Sequence, residues 1–354
     1  MDKTTIFEIE NVKKYFPITE GFFNRVVKHV KAVNDVSFTI AAGETLGLVG
    51  ESGCGKTTLG RCMVRAIDPT AGKMLFRKPD GNVVDMGAVE GKRLIALRRN
   101  IQLIFQDPYS SLNPRMTVRD LVGEPLRVHH IATGQELEDR VVEVIKKVGL
   151  HPRYMDRYPH AFSGGQRQRI AIARALSLNP SFVVCDEAVS ALDVSIQAQI
   201  INLLEELQEN LQLTYLFISH DLSVVKHISN RIAVMYLGKI MEISETEELF
   251  AAPKHPYTEA LLSAVPKTDP LNKSKRILLH GEVPDPTNPP SGCPFRTRCK
   301  YVEALCEQQE PPLVNMSNAG ESEHLAACHF AQKLKLKGAI SKQLPRVQGG
   351  DSSL

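Results

Sequence analysis

The chain has 354 residues, room for one large domain and a smaller one. Hydrophobic residues make up 43% and charged residues 23%, with a net charge of +3, which fits a globular protein and argues against a dedicated nucleic-acid binder. The opening MDKTTIFEIE lacks a basic segment followed by an apolar one, and no uncharged apolar run approaches the ~20 residues of a membrane span, so a cytoplasmic setting with reduced thiols is expected.

Taken in chain order, residues 6–12 and 36–49 read as strands, the second turning at Gly43 before running apolar into a glycine cluster. Helical patterning follows over 56–66, 93–99, 116–123, 135–148, 165–178 and 195–211, interleaved with short β-rich runs at 101–105, 182–185, 214–218 and 232–235. That alternation predicts an α/β fold with parallel pairing in its sheet. From about residue 265 the texture becomes loop-rich, through the proline-dense GEVPDPTNPPSG, and KQLPRVQGGDSSL reads as a frayed tail. The expected division is 1–255, 256–335 and a tail at 336–354.

GESGCGKTT, residues Gly50, Glu51, Ser52, Gly53, Cys54, Gly55, Lys56, Thr57 and Thr58, fits G-x-x-x-x-G-K-[ST] between a strand and a helix. Glycines there let backbone N–H groups curl around phosphate oxygens, and the helix start adds its positive end. Lys56 is expected on the β- and γ-phosphates of ATP and Thr57 on Mg2+. Cys54 reads as a tolerated small residue in an exposed cradle. Asp186 and Glu187 end the apolar run FVVCDE, where open α/β sheets place ligands. Neighbouring strand residues point opposite ways, so the two acids have separate expected tasks: Asp186 on Mg2+ and Glu187 polarising the attacking water.

FSGGQRQRIAIARAL, residues 162–176, resembles the signature motif of ABC-type ATPases, and its place just before the FVVCDE strand agrees. Gln106 in IFQDPYSSLNP is similar to that family's Q-loop, SALD ending at Asp193 to its D-loop, and His220 in LFISHDLS to its switch histidine. Phe16 resembles the aromatic that stacks on adenine, with Tyr15 as runner-up. The resemblance implies a RecA-like core sheet, an antiparallel β subdomain and a helical signature subdomain. It implies that Ser163, Gly164, Gly165 and Gln166 of one subunit close on the γ-phosphate held by another, that Gln106 senses Mg2+ and water, and that His220 orients phosphate and water. Ala188 stands where the family usually has proline, which bears on the geometry of that turn. Arg167, Arg169 and Arg174 are expected to be structural.

FQDPYSSLNPRMTV and HPYTEALLSAVP are similar to segments of dipeptide and oligopeptide importers, which implies ATP hydrolysis driving import. The implied partners are a second, unequal ATPase subunit, two membrane permeases and a substrate-binding protein, at the cytoplasmic face of the membrane. The SGGQ sequence is similar to the second, F-type subunit. Importers of nickel, opines or other small solutes share this pattern, and a soluble non-transport ABC ATPase is a third reading, disfavoured by the single cassette.

Cys293, Cys299, Cys306 and Cys328 are spaced C-x5-C-x6-C-x21-C. Neither zinc knuckles nor ferredoxin spacings match, so spacing alone leaves a four-thiolate metal site or, less favoured in a reducing setting, disulfides. The family resemblance implies a [4Fe–4S] cluster, with zinc as the alternative and with His324 and His329 as low-ranking substitute ligands. Arg296, Arg298 and Lys300 are expected to offset thiolate charge. A small module without its own core would need such a staple.

Overall fold

The computed structural model describes residues 4–21, 23, 25–265, 276–318, 320 and 322–339, so the frayed-tail reading of 342–354 lies outside the described residues. The elements are β1 (Thr5–Glu20), β2 (Arg25–Ala41), β3 (Thr45–Val49), α1 (Lys56–Met63), β4 (Ala71–Arg77), β5 (Val83–Asp85), α2 (Gly91–Arg98), β6 (Ile101–Ile104), α3 (Pro108–Ser111), α4 (Val118–Val128) and α5 (Gly134–Lys147). The chain continues with α6 (Gly164–Leu176), β7 (Phe182–Asp186), α7 (Val194–Leu211), β8 (Thr214–Ile218), α8 (Leu222–Ile228), β9 (Arg231–Tyr236) and β10 (Lys239–Glu245). It closes with α9 (Thr246–Ala251), α10 (Pro256–Ser263), α11 (Ala304–Gln308), β11 (Val314–Asn315) and β12 (Leu325–Ala326).

Among the described residues the strands form two sheets, one ordered β11-β12-β10-β9-β3-β8-β7-β6 and one ordered β2-β1-β4-β5. In the larger sheet β3, β6, β7, β8 and β9 run parallel, and β10, β11 and β12 extend it antiparallel at one edge. Every residue of β3, β7 and β8 is buried, as expected of parallel strands covered on both faces. Gly47 in β3 owes its identity to this packing. A Cβ there would lie 2.4 Å from Val225 and 2.6 Å from the Ser229 hydroxyl, so α8 seats directly on the strand backbone.

The smaller sheet is antiparallel throughout. Its β1–β2 ribbon runs well beyond the predicted 6–12 and 36–49, with register shifts that break simple alternation. RVVKHVKA at the start of β2 is mostly exposed, so no period marks it as a strand. The sequence reading also misses β4, whose inward residues are only Met74 and Phe76. The third layer is helical: α4 and α5 pack against α6 through residues such as Leu126, Val141, Ile145 and Ile170. Thr117 caps α4 by accepting from the Asp120 amide at 3.2 Å.

The proline-rich extension is packed into the cassette. β12 pairs with β10, and Cys293, Phe295, Cys306 and Ala327 belong to the main hydrophobic core. The extension lacks a core of its own, as the sequence implies, but borrows the cassette's.

Gly47→Ala forces two side chains of α8 to move and is expected to destabilise the chain by about 1–3 kcal/mol, read as a lower urea midpoint with an unchanged slope.

Candidate active site

Four loops of the site leave the carboxyl ends of parallel strands: the cradle after β3, Gln106 after β6, Asp186–Glu187 at β7 and His220 after β8. In the cradle Gly55 has φ +108, and a Cβ there would sit 2.0 Å from the Ala32 carbonyl of β2, so glycine is required by both conformation and space. Gly55 also precedes α1 and leaves that helix start free of a side-chain cap. Ser52 and Gly53 are exposed at the rim, while Glu51, Thr57 and Thr58 are half-buried. Cys54, read from sequence as exposed, is only 2% accessible; burial pushes its thiol pKa up, and it fills space below the loop.

Lys56 is 5% accessible, yet among the described residues its ammonium bonds only the Gly50 carbonyl (2.7 Å), the Glu51 carbonyl (3.0 Å) and the Cys54 sulfur (3.7 Å). A buried cation held only by neutral acceptors is set up for an anion. Beside it the Thr57 hydroxyl donates to Asp186 at 2.8 Å. Asp186 is 1% accessible, and burial raises its carboxyl above the usual range, against the downward pull of Thr57, Arg61 and Lys56. That pair of hard oxygens fits Mg2+. Arg61, 3.9 Å from Asp186, is a site neighbour the sequence reading misses; only its position one turn after Thr57 could have flagged it.

Glu187 follows with φ +49, its amide donating to the Ile218 carbonyl at 3.0 Å. Its Oε2 receives the Gln106 amide at 2.7 Å and lies 3.4 Å from His220 Nδ1. Two predicted residues, from the ends of two other strands, therefore converge on one carboxylate oxygen of Glu187. Where the family pattern would place proline, Ala188 is buried, and the turn is held instead by the Ser190 amide and hydroxyl, donating to the Glu187 carbonyl at 3.1 and 3.0 Å.

Tyr15 is committed to the sheet, its hydroxyl donating to Asn34 at 2.6 Å. Phe16, on the opposite face, is half-buried under the Lys14 ammonium and pairs with Val30, two residues before the Ala32 carbonyl that abuts Gly55.

The signature residues form a separate surface. Ser163 caps α6 in a reciprocal box with Gln166, at 3.4 and 3.1 Å. A Cβ at Gly165 would lie 2.4 Å from Ile196, and one at Gly164 3.4 Å from Leu192, so α6 begins pressed against the start of α7. Asp193 caps α7, accepting from the Ile196 amide at 3.1 Å and the Ser195 hydroxyl at 2.8 Å. Among the described residues, no hydrogen bond joins Ser163–Gln166 or Asp193 to the cradle. Arg167, Arg169 and Arg174 donate to the carbonyls of Pro159, Val148 and Ser111 at 2.8, 2.7 and 2.7 Å, structural roles as predicted.

Cys293, Cys299, Cys306 and Cys328 line one small cavity with His255, Phe295 and Tyr301. Burial raises the Cys293 thiol to about 12 and the Cys328 thiol to about 11, and raises Cys299 as well, with the neighbouring thiols adding to the shifts. The four share this cavity without closing on a single-ion site: among the described residues no group of three or more His, Cys, Asp or Glu is gathered to hold a metal ion. Of the predicted cations, Lys300 lies close enough to Cys299 to favour its thiolate, although none of the three points its head at a thiol. Arg298 turns to Glu51 (2.6 and 3.0 Å), Lys300 to Glu259 (3.1 Å) and Arg296 to the Ser291 carbonyl (2.8 Å), because fixed carboxylates and carbonyls outcompete neutral thiols. His324 Nε2 lies 2.7 Å from buried Glu242, while His329, its Nε2 3.0 Å from the Gln309 carbonyl, lines the same cavity as the four thiols.

This fold and site define a P-loop ATPase of the cassette type. Residues 33–190 match the ABC transporter family, and residues 241–306 match the oligopeptide/dipeptide transporter C-terminal region. The chain is 55% identical over 331 residues to the oligopeptide transport ATP-binding protein AppF of Bacillus subtilis, covering 93% of this chain and 98% of that one. It is 50% identical over 343 residues to the putative oligopeptide transport ATP-binding protein YkfD of the same organism, covering 96% and 100%. Among solved structures, the dimeric ABC transporter cassette MJ0796, bound to ADP and Pi, superposes with a TM-score of 0.59 at 28% identity, over 68% of this chain and 99% of that one. The cassette cbiO1 of Clostridium perfringens gives 0.58 at 26%, over 70% and 91%. The chain belongs to the ATP-binding subunits of ABC transporters, in the oligopeptide branch.

Thr57→Val removes the hydroxyl shared with Asp186 and is expected to weaken Mg2+-dependent nucleotide binding by about tenfold. Titration of a fluorescent ATP analogue with and without Mg2+ checks this, since binding in EDTA should change little.

Proposed function

We propose that the chain is the ATP-hydrolysing subunit that powers peptide import, as the F-type member of an unequal ATPase pair at the cytoplasmic face of the membrane. No described helix is long and apolar enough to cross a membrane, so the transport path would belong to two separate permeases, supplied by a substrate-binding protein. The peptide substrate follows the oligopeptide transport relatives and the matching C-terminal region.

The observation that carries the ATPase reading is the convergence of Gln106 and His220 on Glu187 beside the Thr57–Asp186 pair. In the proposed cycle, ATP phosphates enter the Gly50–Thr58 cradle and Lys56 leaves the Gly50 and Glu51 carbonyls for β- and γ-phosphate oxygens. Thr57 and Asp186 would hold Mg2+, which when bound would supply positive charge against the phosphates. Phe16 stacks on adenine. Gln106 gives up its bond to Glu187, whose freed Oε2 accepts a hydrogen bond from the attacking water, while His220 orients water and γ-phosphate. The surface Ser163–Gln166, with Asp193 supporting it through α7, closes on the nucleotide of the partner ATPase. Among the described residues no hydrogen bond joins it to the chain's own cradle, which is compatible with a sandwich of two subunits.

We keep the division at residue 255, with 256–335 as the oligopeptide-type extension, and assign a [4Fe–4S] cluster to Cys293, Cys299, Cys306 and Cys328. The shared cavity of all four thiols supports it. Loading would expel the thiol protons, which burial holds firmly, so binding should favour higher pH.

Glu187→Gln should retain ATP binding while hydrolysis falls by about a hundredfold or more, measured as phosphate release at saturating ATP. Normal turnover in that variant would move the base elsewhere. Anaerobically purified full-length protein should show a broad absorbance at about 400 nm, lost in Cys293→Ser. A colourless, zinc-loaded protein would replace iron with zinc in the assignment.

A further inference from the structure

The turn between the first two cluster cysteines faces two ways. It is closed by the Arg296 amide on the Cys293 carbonyl (3.1 Å), Arg298 on Phe295 (3.0 Å) and Cys299 on Arg296 (3.4 Å). On one side Phe295, 1% accessible, inserts among aromatic rings, 5.3 Å from both Tyr236 and Tyr257. On the other, the Arg298 side chain, 6% accessible, makes a two-pronged contact with the Glu51 carboxylate at 2.6 and 3.0 Å.

Glu51 is the second residue of the phosphate cradle, and the motif leaves its identity free. Its amide donates to the Tyr257 hydroxyl at 2.8 Å, and its carbonyl accepts from Lys56. The loop that must present N–H groups to phosphate is therefore held through Glu51 by α10 and by the cysteine turn. Glu51 also places a negative charge within the anion-binding loop. Unpaired, it would repel the phosphates of ATP; paired with Arg298, it does not.

We propose that Arg298 is a positioning residue for nucleotide: it neutralises and fixes Glu51, and so couples the integrity of the four-cysteine turn to the affinity of the cradle for ATP. The coupling rests on the ATP-site reading and requires no particular metal at the cysteines. Arg298 touches no reacting atom. Its effect belongs in binding, with turnover at saturating ATP preserved.

The test uses the full chain as purified and equilibrium titration with a fluorescent ATP analogue. Arg298→Gln should raise Kd about tenfold, and more at low ionic strength, with kcat unchanged. Adding Glu51→Gln in that background should return Kd to within about threefold of wild type, a recovery that general damage to packing would not give. Amide exchange over residues 50–56 should quicken in Arg298→Gln. Cys299→Ser should weaken binding in the wild type but add little to Arg298→Gln. An unchanged Kd in Arg298→Gln, or no recovery in the double variant, overturns the proposal. If Arg298→Gln fails to fold, Arg298→Lys, which keeps the charge but loses the two-pronged contact, decides it: quicker amide exchange over residues 50–56 supports the coupling, and exchange at the wild-type rate rejects it. Failure of the wild type to bind nucleotide at all would reject the ATP-site reading instead.

Discussion

The hydrogen bond from Thr57 to Asp186 joins residues 129 apart and depends on every larger feature of the cassette. It forms only because β3, β8 and β7 are parallel neighbours whose carboxyl ends share one edge. The same edge receives Gln106 from β6 and His220 from β8. The strands are fully buried, so their ladders satisfy the backbone while the polar ends project past the sheet. What results is an electrostatically unfinished site: a buried carboxyl held above its usual range beside a buried ammonium that, among the described residues, bonds only neutral acceptors. In the proposed reading Mg2+ and phosphate would complete both.

The extension is keyed into this arrangement. Too poor in apolar residues to form a core, it inserts Phe295 into the cassette's aromatic wall and pairs β12 with β10. One wall then serves two tasks. Tyr257 packs against Phe295 on its ring and holds Glu51 by its hydroxyl. A cysteine module fastened there is mechanically adjacent to the phosphate cradle, which gives physical content to its position in an ATPase.

Much of the fold was legible because its central strands are apolar runs bounded by turn residues, and because α5, α6 and α7 lie in stretches with few helix breakers. β7 and β8 appear at 182–186 and 214–218, within a residue of the predicted runs. The β1–β2 ribbon was not legible past residue 12, since its outer half is exposed on both faces and bulged. In the site, Lys56, Thr57, Asp186 and Glu187 were readable from local motifs. Arg61 was not, because a lone arginine on a helix carries no pattern. Arg298 was seen but given the wrong partner: proximity in sequence pointed to the cysteines, whereas a carboxylate 247 residues away offered the stronger bond.

By itself the sequence determined the chemistry, because phosphate binding, acid placement and the signature helix each need fixed residues at short spacing. Only the tertiary structure decided how these parts are joined. It put Gln106 and His220 on one oxygen of Glu187, pressed the signature helix start against α7, and tied the cysteine turn to Glu51. Such pairings depend on which strands lie side by side and which buried charges must find partners, and neither is written in local spacing.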